Sequence, residues 1–555
     1  MKTRKNPNIA AALTTMATSM PDEVAIYYPK GRAPDGTWRY ETTTYAELDR
    51  ESDRIACGLH AVGIGPGTRA VLMVKPSMEF FALTFALFKA AVIPVMVDPG
   101  MGIKNLKTCL IEAEPQAFIG IPKAHIARLV LGWGRGTVEH TVTVGRRFLW
   151  GGHTLKRLSA LGEEGLDQWQ APGVQPDDTA AILFTSGSTG VPKGAVYSHG
   201  NFSAQVEMIR DTYDIQPGEK DLPTFPLFAL FDPALGMSTV LPDMDFANPG
   251  KANPRNLVEP VAQFEITNMF GSPAVMRNLG LYGEEHGTKL PSLKRMISAG
   301  APVPAATLAK VSEMLSDKAQ IFTPYGATES LPVASIGSKE ILEETSAATD
   351  RGDGVCVGQP VDGVEVQVIS ITDDPIAEWS DDLVVDAGTI GEFVIKGPQV
   401  TQSYYNRPSA TKGAKILDGD RARHRMGDLG YVDEEGRLWF CGRKSHRVIL
   451  NDDTTMFTIR CEAPFNTHPR VFRTALVGVK RAGTVEPVLC VELEARHQGA
   501  PRDELRDELR EIADRFDHTR AIKTYLFHDG FPVDIRHNSK IFREELTTWA
   551  TQQLR

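Results

Sequence analysis

The stretch AAILFTSGSTGVPKG, residues Ala180–Gly194, decides how the rest of the chain is interpreted. Its apolar start, Ala181–Phe184, predicts a buried strand, and a run made only of Thr, Ser and Gly follows. Small residues allow backbone N–H groups to turn towards an anion, hydroxyls add donors, and Lys193 supplies a positive charge. The stretch therefore predicts a strand that leads into a loop for nucleotide phosphates.

The predicted phosphate loop has its own glycine spacing. It differs from the G-x-x-x-x-G-K-[ST] loop because Gly194 follows the lysine. A surface linker rich in Ser and Gly is the alternative, but linkers do not usually follow a buried strand and end in Pro-Lys-Gly. The residues expected to contact the phosphates are Thr185, Ser186, Gly187, Ser188, Thr189, Gly190 and Lys193.

Length and composition limit the class of protein. With 555 residues the chain is too long for one core, because single domains rarely exceed about 250–300 residues. The formal net charge of −10 argues against binding to nucleic acid, which requires a basic surface. The six cysteines form no CxxC pair, so we expect reduced thiols and no zinc site.

Two apolar segments bear on the compartment. The N-terminus combines basic residues with a mild apolar run that threonines interrupt, which favours an amphipathic helix over a signal peptide. Lys89 and Pro94 interrupt the apolar stretch Phe80–Val97, so we expect a buried helix and a buried strand there instead of a transmembrane segment. These features predict a cytoplasmic protein.

The order of predicted elements indicates an α/β fold. Arg69–Val74 and Val92–Val97 are typical of strands, and Phe80–Ala91 is typical of a helix between them. This alternation predicts parallel sheets with crossover helices. From Gly388, short strands and Gly-rich turns predict a smaller β-rich subdomain. After Arg443 the pattern changes to strands and a charged helix, which predicts a small α+β domain.

Six further motifs follow the phosphate loop along the chain. They are SAGAPV (Ser298–Val303), PYGATES (Pro324–Ser330), GEFVIKGPQVTQSYYNRP (Gly391–Pro408), RMGDLG (Arg425–Gly430), GRKSHRV (Gly442–Val448) and NSKIFR (Asn538–Arg543). Together with TSGSTGVPKG, they resemble the signature motifs of the adenylate-forming enzymes, which include acyl-CoA synthetases, peptide-synthetase adenylation domains and firefly luciferase. The resemblance covers essentially the whole chain.

This resemblance implies a reaction that uses ATP and Mg²⁺. A carboxylic acid would attack the α-phosphorus of ATP and give an acyl-adenylate and pyrophosphate. Thr328 would offer its hydroxyl to the α-phosphate, and Glu329 would give Mg²⁺ an oxygen ligand. Lys540 would bridge the attacking carboxylate and the phosphate, which stabilises charge as pyrophosphate leaves.

The resemblance also implies how the nucleoside is held. Tyr325 would place its aromatic ring against adenine. Asp428 would accept hydrogen bonds from both ribose hydroxyls, with Arg443 beside it as a further donor. The full set expected at the nucleoside is Gly300, Ala301, Pro302, Tyr325, Gly326, Ala327, Asp428 and Arg443.

Members of this family have a large N-terminal domain, made of two α/β subdomains and a β-rich subdomain, and a small mobile α+β C-terminal domain. We therefore expect an adenylating domain at residues 1–441, a hinge at 442–447 and a C-terminal domain at 448–555 that carries the lysine. Ser445 stands where the hinge usually has Asp or Lys, so we expect a limited need for domain rotation.

The segment after the hinge departs from the pattern of acyl-CoA synthetases. Those enzymes have a glycine-containing loop there, and glycine permits the close backbone approach that a pantetheine arm needs. No glycine occurs from Lys444 to Leu476, which argues against transfer to CoA or to a carrier protein. The apolar stretch Phe225–Asp245, with Ala229 where many acyl-CoA synthetases have a histidine, suits a long hydrocarbon or ordinary core packing.

Three segments, FPLFALFDPALGM, YSHGNF and GRKSHRV, resemble one branch of the superfamily, the β-lactone synthetases of bacterial long-chain olefin biosynthesis. This resemblance implies a long-chain 2-alkyl-3-hydroxy acid as substrate. Its own 3-hydroxyl would attack the adenylate and close a β-lactone with release of AMP. His199 is the candidate base, with a structural role in the acyl pocket as the alternative, and His446 is a weaker candidate.

Two other functions remain as alternatives. The first is a long-chain acyl-CoA or acyl-AMP ligase, which the apolar stretch and the whole-chain resemblance support. The second is a non-catalytic nucleotide-binding scaffold, which the complete set of expected site residues argues against. By analogy with the olefin pathway, the expected partners are a reductase that produces the hydroxy acid and a β-lactone decarboxylase.

Overall fold

The computed structural model describes residues 6–97, 99–184, 192–481, 483–499, 501–534 and 540–555. No helix in these ranges is long and apolar enough to cross a membrane. Lys193 lies within the described residues. The other expected phosphate-loop residues, Thr185, Ser186, Gly187, Ser188, Thr189 and Gly190, lie outside them.

The strands are numbered in chain order. Those before residue 300 are β1 (Val24–Arg32), β2 (Trp38–Thr44), β3 (Arg69–Met73), β4 (Ile93–Met96), β5 (Ala117–Gly120), β6 (His140–Thr143), β7 (His153–Thr154), β8 (Thr179–Phe184), β9 (Gly194–Ser198), β10 (Lys220–Pro223), β11 (Ser238–Val240), β12 (Asn268–Phe270) and β13 (Arg295–Ile297). Those after it are β14 (Gln320–Ala327), β15 (Ser330–Gly337), β16 (Val355–Pro360), β17 (Glu365–Ile369), β18 (Gly391–Lys396), β19 (Lys415–Asp418), β20 (Arg421–Val432), β21 (Leu438–Arg443), β22 (Val448–Ile449), β23 (Thr455–Met456), β24 (Val471–Arg481), β25 (Thr484–Leu493) and β26 (Thr524–Phe527).

The α-helices are numbered in the same way. Those before residue 250 are α1 (Ala11–Ser19), α2 (Tyr45–Ala61), α3 (Met78–Lys89), α4 (Ile103–Ala113), α5 (Pro122–Leu131), α6 (Leu155–Gly165), α7 (His199–Tyr213), α8 (Pro226–Ala229) and α9 (Asp232–Leu235). Those after it are α10 (Arg255–Phe264), α11 (Pro273–His286), α12 (Ala305–Ser312), α13 (Ser338–Glu340), α14 (Ser346–Arg351), α15 (Pro408–Ala414), α16 (Thr458–Asn466), α17 (Arg502–Arg515) and α18 (Arg543–Gln553).

The first sheet comes from the N-terminal part of the chain. Within the described residues it has seven strands in the order β7-β6-β5-β3-β4-β8-β9, and only β9 runs antiparallel to its neighbour. Parallel neighbours need crossover connections, which helices α3, α4 and α5 supply here. The prediction of an α/β fold is confirmed for this part of the chain.

The apolar stretch Phe80–Val97 forms a buried helix and a buried strand, as predicted. In α3, every residue from Phe80 to Lys89 is buried, because a helix that is apolar on all sides must lie inside the protein. The ammonium of Lys89 lies 2.7 Å from a carboxylate oxygen of Asp49 and 2.7 Å from one of Asp53. These two carboxylates make burial of the charge tolerable.

The second sheet is larger and includes the β-rich subdomain. Its path among the described residues is β17-β18-β20-β21-β16-β15-β14-β13-β12-β10-β11-β1-β2, with β19 paired beside β20. The strands from β10 to β14 are parallel, whereas β14, β15, β16 and β21 pair antiparallel. The β-rich part thus continues the sheet of the second α/β subdomain and is not a separate sheet.

The C-terminal part is the small α+β unit that the sequence predicts. Strands β24, β25 and β26 form a sheet that α16, α17 and α18 accompany, and a short β22-β23 hairpin precedes it. Helix α17, the predicted charged helix, buries Leu505 and Leu509. A short helical turn, Lys444–His446, connects β21 to this unit.

Candidate active site

One cavity lies where the two sheets and the C-terminal part meet. Its volume is about 1730 Å³, above the range of about 300–1,000 Å³ that is usual for ligand pockets. The expected site residues that line it are Lys193, Gly300, Gly326, Ala327, Thr328, Glu329, Arg443 and Lys540. Residues that are far apart in the sequence therefore converge on one cavity, as the motif order predicts.

Asp428 lies behind this cavity in a buried hydrogen-bonded group. The Tyr325 hydroxyl donates to Asp428 Oδ2 at 2.6 Å, and Arg443 Nε lies 3.0 Å from Oδ1. Asp428 and Arg443 face each other because they are paired across the neighbouring strands β20 and β21. Burial raises the pKa of the Asp428 carboxyl, and the Arg443 charge lowers it.

This arrangement leaves one acceptor for a ligand. Asp428 Oδ1 is buried and accepts no hydrogen bond from any described residue. The Arg443 charge 3.0 Å away is the partner of this oxygen among the described residues, and the remaining lone pairs of Oδ1 would accept a hydrogen bond from a ribose hydroxyl. The ring of Tyr325 is held by Phe393 and Phe440, at centroid distances of 6.1 and 6.3 Å. Neither Tyr325 nor Asp428 is among the described residues of the cavity wall, and the same holds for Ala301 and Pro302.

Glu329 lies at the polar end of the cavity, next to an aromatic ring and a cation. The Tyr404 hydroxyl donates to Glu329 Oε1 at 2.5 Å, and the Lys193 ammonium lies 5.2 Å from the centroid of the Tyr404 ring. Burial and the Glu329 carboxylate raise the pKa of Tyr404, which keeps the hydroxyl protonated as a donor. A carboxylate fixed at one oxygen retains lone pairs for a divalent cation. The residues present therefore fit Mg²⁺.

Lys540 reaches the cavity from the C-terminal part of the chain. Its backbone N–H donates to Asp534 Oδ1 at 3.0 Å, and the Asp534 N–H donates to the carbonyl of Lys540 at 3.0 Å. Burial lowers the pKa of the Lys540 ammonium, and the Arg443 charge lowers it further. An anion placed beside these two cations would stabilise both charges. A substrate carboxylate or a phosphate is such an anion.

Two further basic side chains lie near this end, and the sequence analysis missed them. His424 lines the cavity, and Lys415 is its partner in the β19-β20 pair. His424 Nδ1 lies 3.2 Å from the carbonyl oxygen of Ala414. Because a carbonyl can only accept, Nδ1 carries the proton and Nε2 carries the lone pair. Burial and the Lys415 charge lower the pKa of His424 well below its usual value, so the imidazole is neutral at neutral pH.

His199, the candidate base, lies elsewhere. Its side chain is buried at the start of α7, its ring faces Phe88 at a centroid distance of 6.3 Å, and Nδ1 accepts from the backbone N–H of Ile9 at 3.4 Å. Burial lowers the pKa of His199 to about 4. Neither His199 nor His446 is among the described residues of the cavity wall. This position favours the structural alternative for His199.

The opposite end of the cavity is apolar. Phenylalanine rings from α3, from the start of α7 and from the segment around α8 form much of its wall; they are Phe80, Phe85, Phe88, Phe202, Phe225, Phe228 and Phe231. Part of the predicted stretch Phe225–Asp245 therefore lines the cavity, whereas Ala234 and Leu235 also belong to a large core. Both interpretations of that stretch apply, each to different side chains.

The hinge region is tied to the second sheet by a buried carboxylate. Glu392 Oε2 accepts from Arg425 Nη2 at 2.6 Å and from Lys444 Nζ at 2.9 Å. Lys444 Nζ also donates to the carbonyl of Thr372 at 2.8 Å. Beyond the hinge, Val448 and Ile449 pair with Met456 and Thr455 in the β22-β23 hairpin. The segment that follows the hinge region therefore begins with a hairpin.

Comparison with known proteins agrees with this site. The chain matches the AMP-binding enzyme family over residues 13–405. It is 51% identical over 552 residues to an olefin beta-lactone synthetase of Xanthomonas campestris pv. campestris, with 98% of each chain covered. It is 50% identical over 554 residues to an olefin beta-lactone synthetase of Stenotrophomonas maltophilia, with 99% of this chain and 98% of that one covered.

A solved structure matches the fold over nearly the whole length. The amide bond synthetase McbA from Marinactinospora thermotolerans superposes with a TM-score of 0.78 at 21% identity, covering 98% of this chain and 99% of that chain. At this identity the likeness concerns the arrangement of sheets and helices. The family match, the two relatives and the shared fold lead to one conclusion, that the chain belongs to the AMP-binding enzyme family.

Proposed function

We propose that this enzyme activates a long-chain 2-alkyl-3-hydroxy acid with ATP and closes it to a β-lactone. The observation that supports this most directly is the single cavity, which joins a polar end at Lys540, Thr328 and Glu329 to an apolar end lined by phenylalanines. The two relatives of about half-identical sequence are olefin beta-lactone synthetases. Their substrate class fits a cavity that has one polar and one apolar end.

In the first half-reaction the substrate carboxylate attacks the α-phosphorus of ATP. One oxygen–phosphorus bond forms, the bond to the leaving pyrophosphate breaks, and an acyl-adenylate results. We assign Lys540 to the charge that develops between carboxylate and phosphate, and Thr328 to an α-phosphate oxygen. Glu329 would hold Mg²⁺, which would neutralise charge on the phosphates. Asp428 would accept from the ribose through Oδ1, with Arg443 beside it.

In the second half-reaction the substrate supplies its own nucleophile. The 3-hydroxyl oxygen forms a bond to the acyl carbon, the bond from that carbon to AMP breaks, and AMP leaves. The hydroxyl proton passes to a base, and we assign this role to Nε2 of His424 because it lines the cavity and carries a lone pair. An intramolecular attack needs no second substrate in the site, which agrees with the hairpin after the hinge.

The domain division is part of this proposal. Residues 1–441 would bind ATP and acid, 442–447 would be the hinge, and 448–555 would carry Lys540. The bonds of Lys444 to Glu392 and to the Thr372 carbonyl support a hinge that rotates little. The reductase and the β-lactone decarboxylase of an olefin pathway remain the proposed partners.

Product analysis tests the proposal. The enzyme would be incubated with ATP, Mg²⁺ and a 2-alkyl-3-hydroxy acid, with and without CoA. We expect a β-lactone, AMP and pyrophosphate in both cases. A CoA thioester without lactone would instead support the alternative, an acyl-CoA ligase. Carboxylate-independent release of pyrophosphate would contradict both.

A further inference from the structure

Exposed apolar side chains are concentrated in one part of the surface. Of the eleven large apolar side chains that are exposed in the described chain, seven lie between residues 103 and 149. Single exposed apolar residues are common and need no explanation, whereas a contiguous group marks a binding surface. The group lies on helices α4 and α5 and on the loop that follows β6.

The two helices present their apolar side chains in regular stripes. Ile103 and Ile111 on α4 are two turns apart, with Lys107 between them, and are 62% and 61% exposed. Ile126, Leu129 and Val130 on α5 share one face and are 52%, 56% and 77% exposed. A spacing of three or four residues places side chains on the same side of a helix. Helix α5 therefore has an exposed apolar stripe besides its inner face, and α4 exposes two isoleucines that flank Lys107.

The inner stripes show that the two helices lie side by side. Leu106 and Leu110 of α4 and Ala124 and Ala127 of α5 belong to one core cluster over the first sheet. The loop after β6 joins this layer because the ring of Trp150 stacks on that of His125 of α5 at a centroid distance of 5.3 Å. We call the exposed side chains of α4, of α5 and of the loop that packs against α5, including Phe148 and Leu149, the α4–α5 surface.

The α4–α5 surface is basic in an acidic protein. Residues 99–152 contain seven Lys and Arg against three Asp and Glu, whereas the whole chain carries a net charge of −10. None of the seven cations has a carboxylate partner among the described residues, and six of them are exposed; they are Lys104, Lys107, Lys123, Arg135, Arg146 and Arg147. Exposed cations interleaved with apolar side chains are typical of helices that bind an anionic lipid surface.

The cavity reaches the same surface. Met101 and Leu106 from the start of α4 line it, and so do Lys123, Ala124 and Ala127 of α5. Lys123 is exposed, so the cavity extends between the two helices to the outside of the protein.

We propose that the α4–α5 surface docks on an anionic lipid bilayer and that the long-chain acid enters the cavity from the bilayer between α4 and α5. The inference about entry rests on the proposed function, because only a substrate with long hydrocarbon chains partitions into lipid. Docking itself rests on the exposed apolar side chains and on the exposed cations that pair with no described carboxylate. Long-chain products would leave by the same route.

Vesicle co-sedimentation of the full chain tests the docking. The probes are vesicles of phosphatidylglycerol and phosphatidylcholine in equal amounts, and vesicles of phosphatidylcholine alone. We expect the wild type to prefer the anionic vesicles and to lose affinity in salt. The variant Ile126→Ser/Leu129→Ser/Val130→Ser should bind at least about tenfold more weakly, because each side chain loses contact with lipid. The matched control is Leu281→Ser/Leu417→Ser, which removes exposed apolar side chains elsewhere and should bind like the wild type.

A second variant tests the charges without changing the apolar stripes. Each Lys or Arg near an anionic surface contributes about fivefold to affinity, so Lys104→Gln/Lys107→Gln should lose about thirtyfold. A wild type that remains in the supernatant with anionic vesicles overturns the proposal, and so does a triple serine variant that binds like its control. A wild-type oligomer that ignores vesicles and dissociates in the triple variant would identify the surface as a protein interface and also overturns it.

The failure of docking is distinguishable from a failure of the proposed function. Pyrophosphate release from a short, water-soluble 2-alkyl-3-hydroxy acid needs no bilayer, and none of the substituted side chains lines the cavity. If vesicles bind but this acid yields no lactone, docking stands and the proposed function fails. If the lactone forms but no variant changes vesicle binding, the proposed function stands and docking fails.

Discussion

Replacing His424 by glutamine should separate the two half-reactions. Glutamine has a similar size and can still donate to the carbonyl of Ala414, which His424 contacts at 3.2 Å. Its amide has no basic nitrogen, so it cannot accept the proton of the 3-hydroxyl. We therefore expect His424→Gln to release pyrophosphate at nearly the wild-type rate and to accumulate acyl-adenylate.

The structure sets the size of the effect on ring closure. General base catalysis contributes about 10²–10⁴-fold, and the weaker the base, the smaller its share. Burial and the Lys415 charge lower the pKa of His424, which makes it a weak base and favours the lower end. We expect lactone formation to slow about 10²-fold, or about 2.7 kcal/mol of activation free energy. A base with a lowered pKa is already unprotonated at about pH 6 to 8, so the titration of His424 itself should cause no step in the closure rate of the wild type there.

The assay follows both products in one reaction. Pyrophosphate is measured by a coupled enzyme, and the adenylate and lactone are separated by chromatography after quenching. The matched control is His199→Gln, which removes a buried histidine outside the cavity wall and should slow both steps equally or not at all. Equal slowing of both steps in His424→Gln would refute the assignment, and an accumulation of adenylate in His199→Gln would give the role to His199.

Three further predictions concern the remaining charges. Lys540→Ala should slow pyrophosphate release about 10²–10³-fold, as the removal of one charge-stabilising donor does. The control Lys523→Ala, which removes a lysine paired with the exposed Asp514, should not slow it. Equal rates in both variants would exclude a role of Lys540 in adenylation. Glu462→Ala should reduce the free energy of unfolding, measured in urea, by about 3–5 kcal/mol, because it leaves Arg543 buried and unpaired. A loss below about 1 kcal/mol would contradict this prediction. Burial lowers the pKa of Lys415 to about 7, so above that pH the unfolded chain binds one proton more than the folded chain. The free energy of unfolding should therefore rise between about pH 7 and 10. Lys415→Met should remove this rise, whereas an unchanged pH profile would show that Lys415 keeps its proton in the folded protein.

Local apolar runs made much of the fold predictable. The strand and helix at Arg69–Val74 and Phe80–Ala91 appear within a few residues of the predicted bounds, because a continuous apolar run must be buried whatever its neighbours are. Membership in a sheet was not predictable. Strands β1 and β2, from Val24 to Thr44, belong to the second sheet, since pairing with β11 depends on residues some two hundred positions away.

The site was predictable where a motif carries it and not where strand register does. Thr328, Glu329 and Lys540 belong to quoted motifs and meet at the cavity. His424 lies outside those motifs, although it precedes Asp428 by four residues on β20. The pairing of β20 with β18 shifts register between Arg425 and Leu429, so alternation along the strand does not predict which face His424 occupies. Its partner Lys415 was not predictable, because the pairing of β19 with β20 is seen only in the structure.

The proposed hinge, residues 442–447, would let one chain adenylate and cyclise without a large rearrangement. Glu392 is buried and holds both Arg425 and Lys444. A rotation that moved Lys444 away would leave this carboxylate with one cation and would break the bond to the Thr372 carbonyl, at the cost of a buried charge with fewer partners. An enzyme that must admit a pantetheine arm has to accept such a cost. An enzyme whose nucleophile is already bonded to its substrate does not, because the acyl carbon and the 3-hydroxyl are held together from the start.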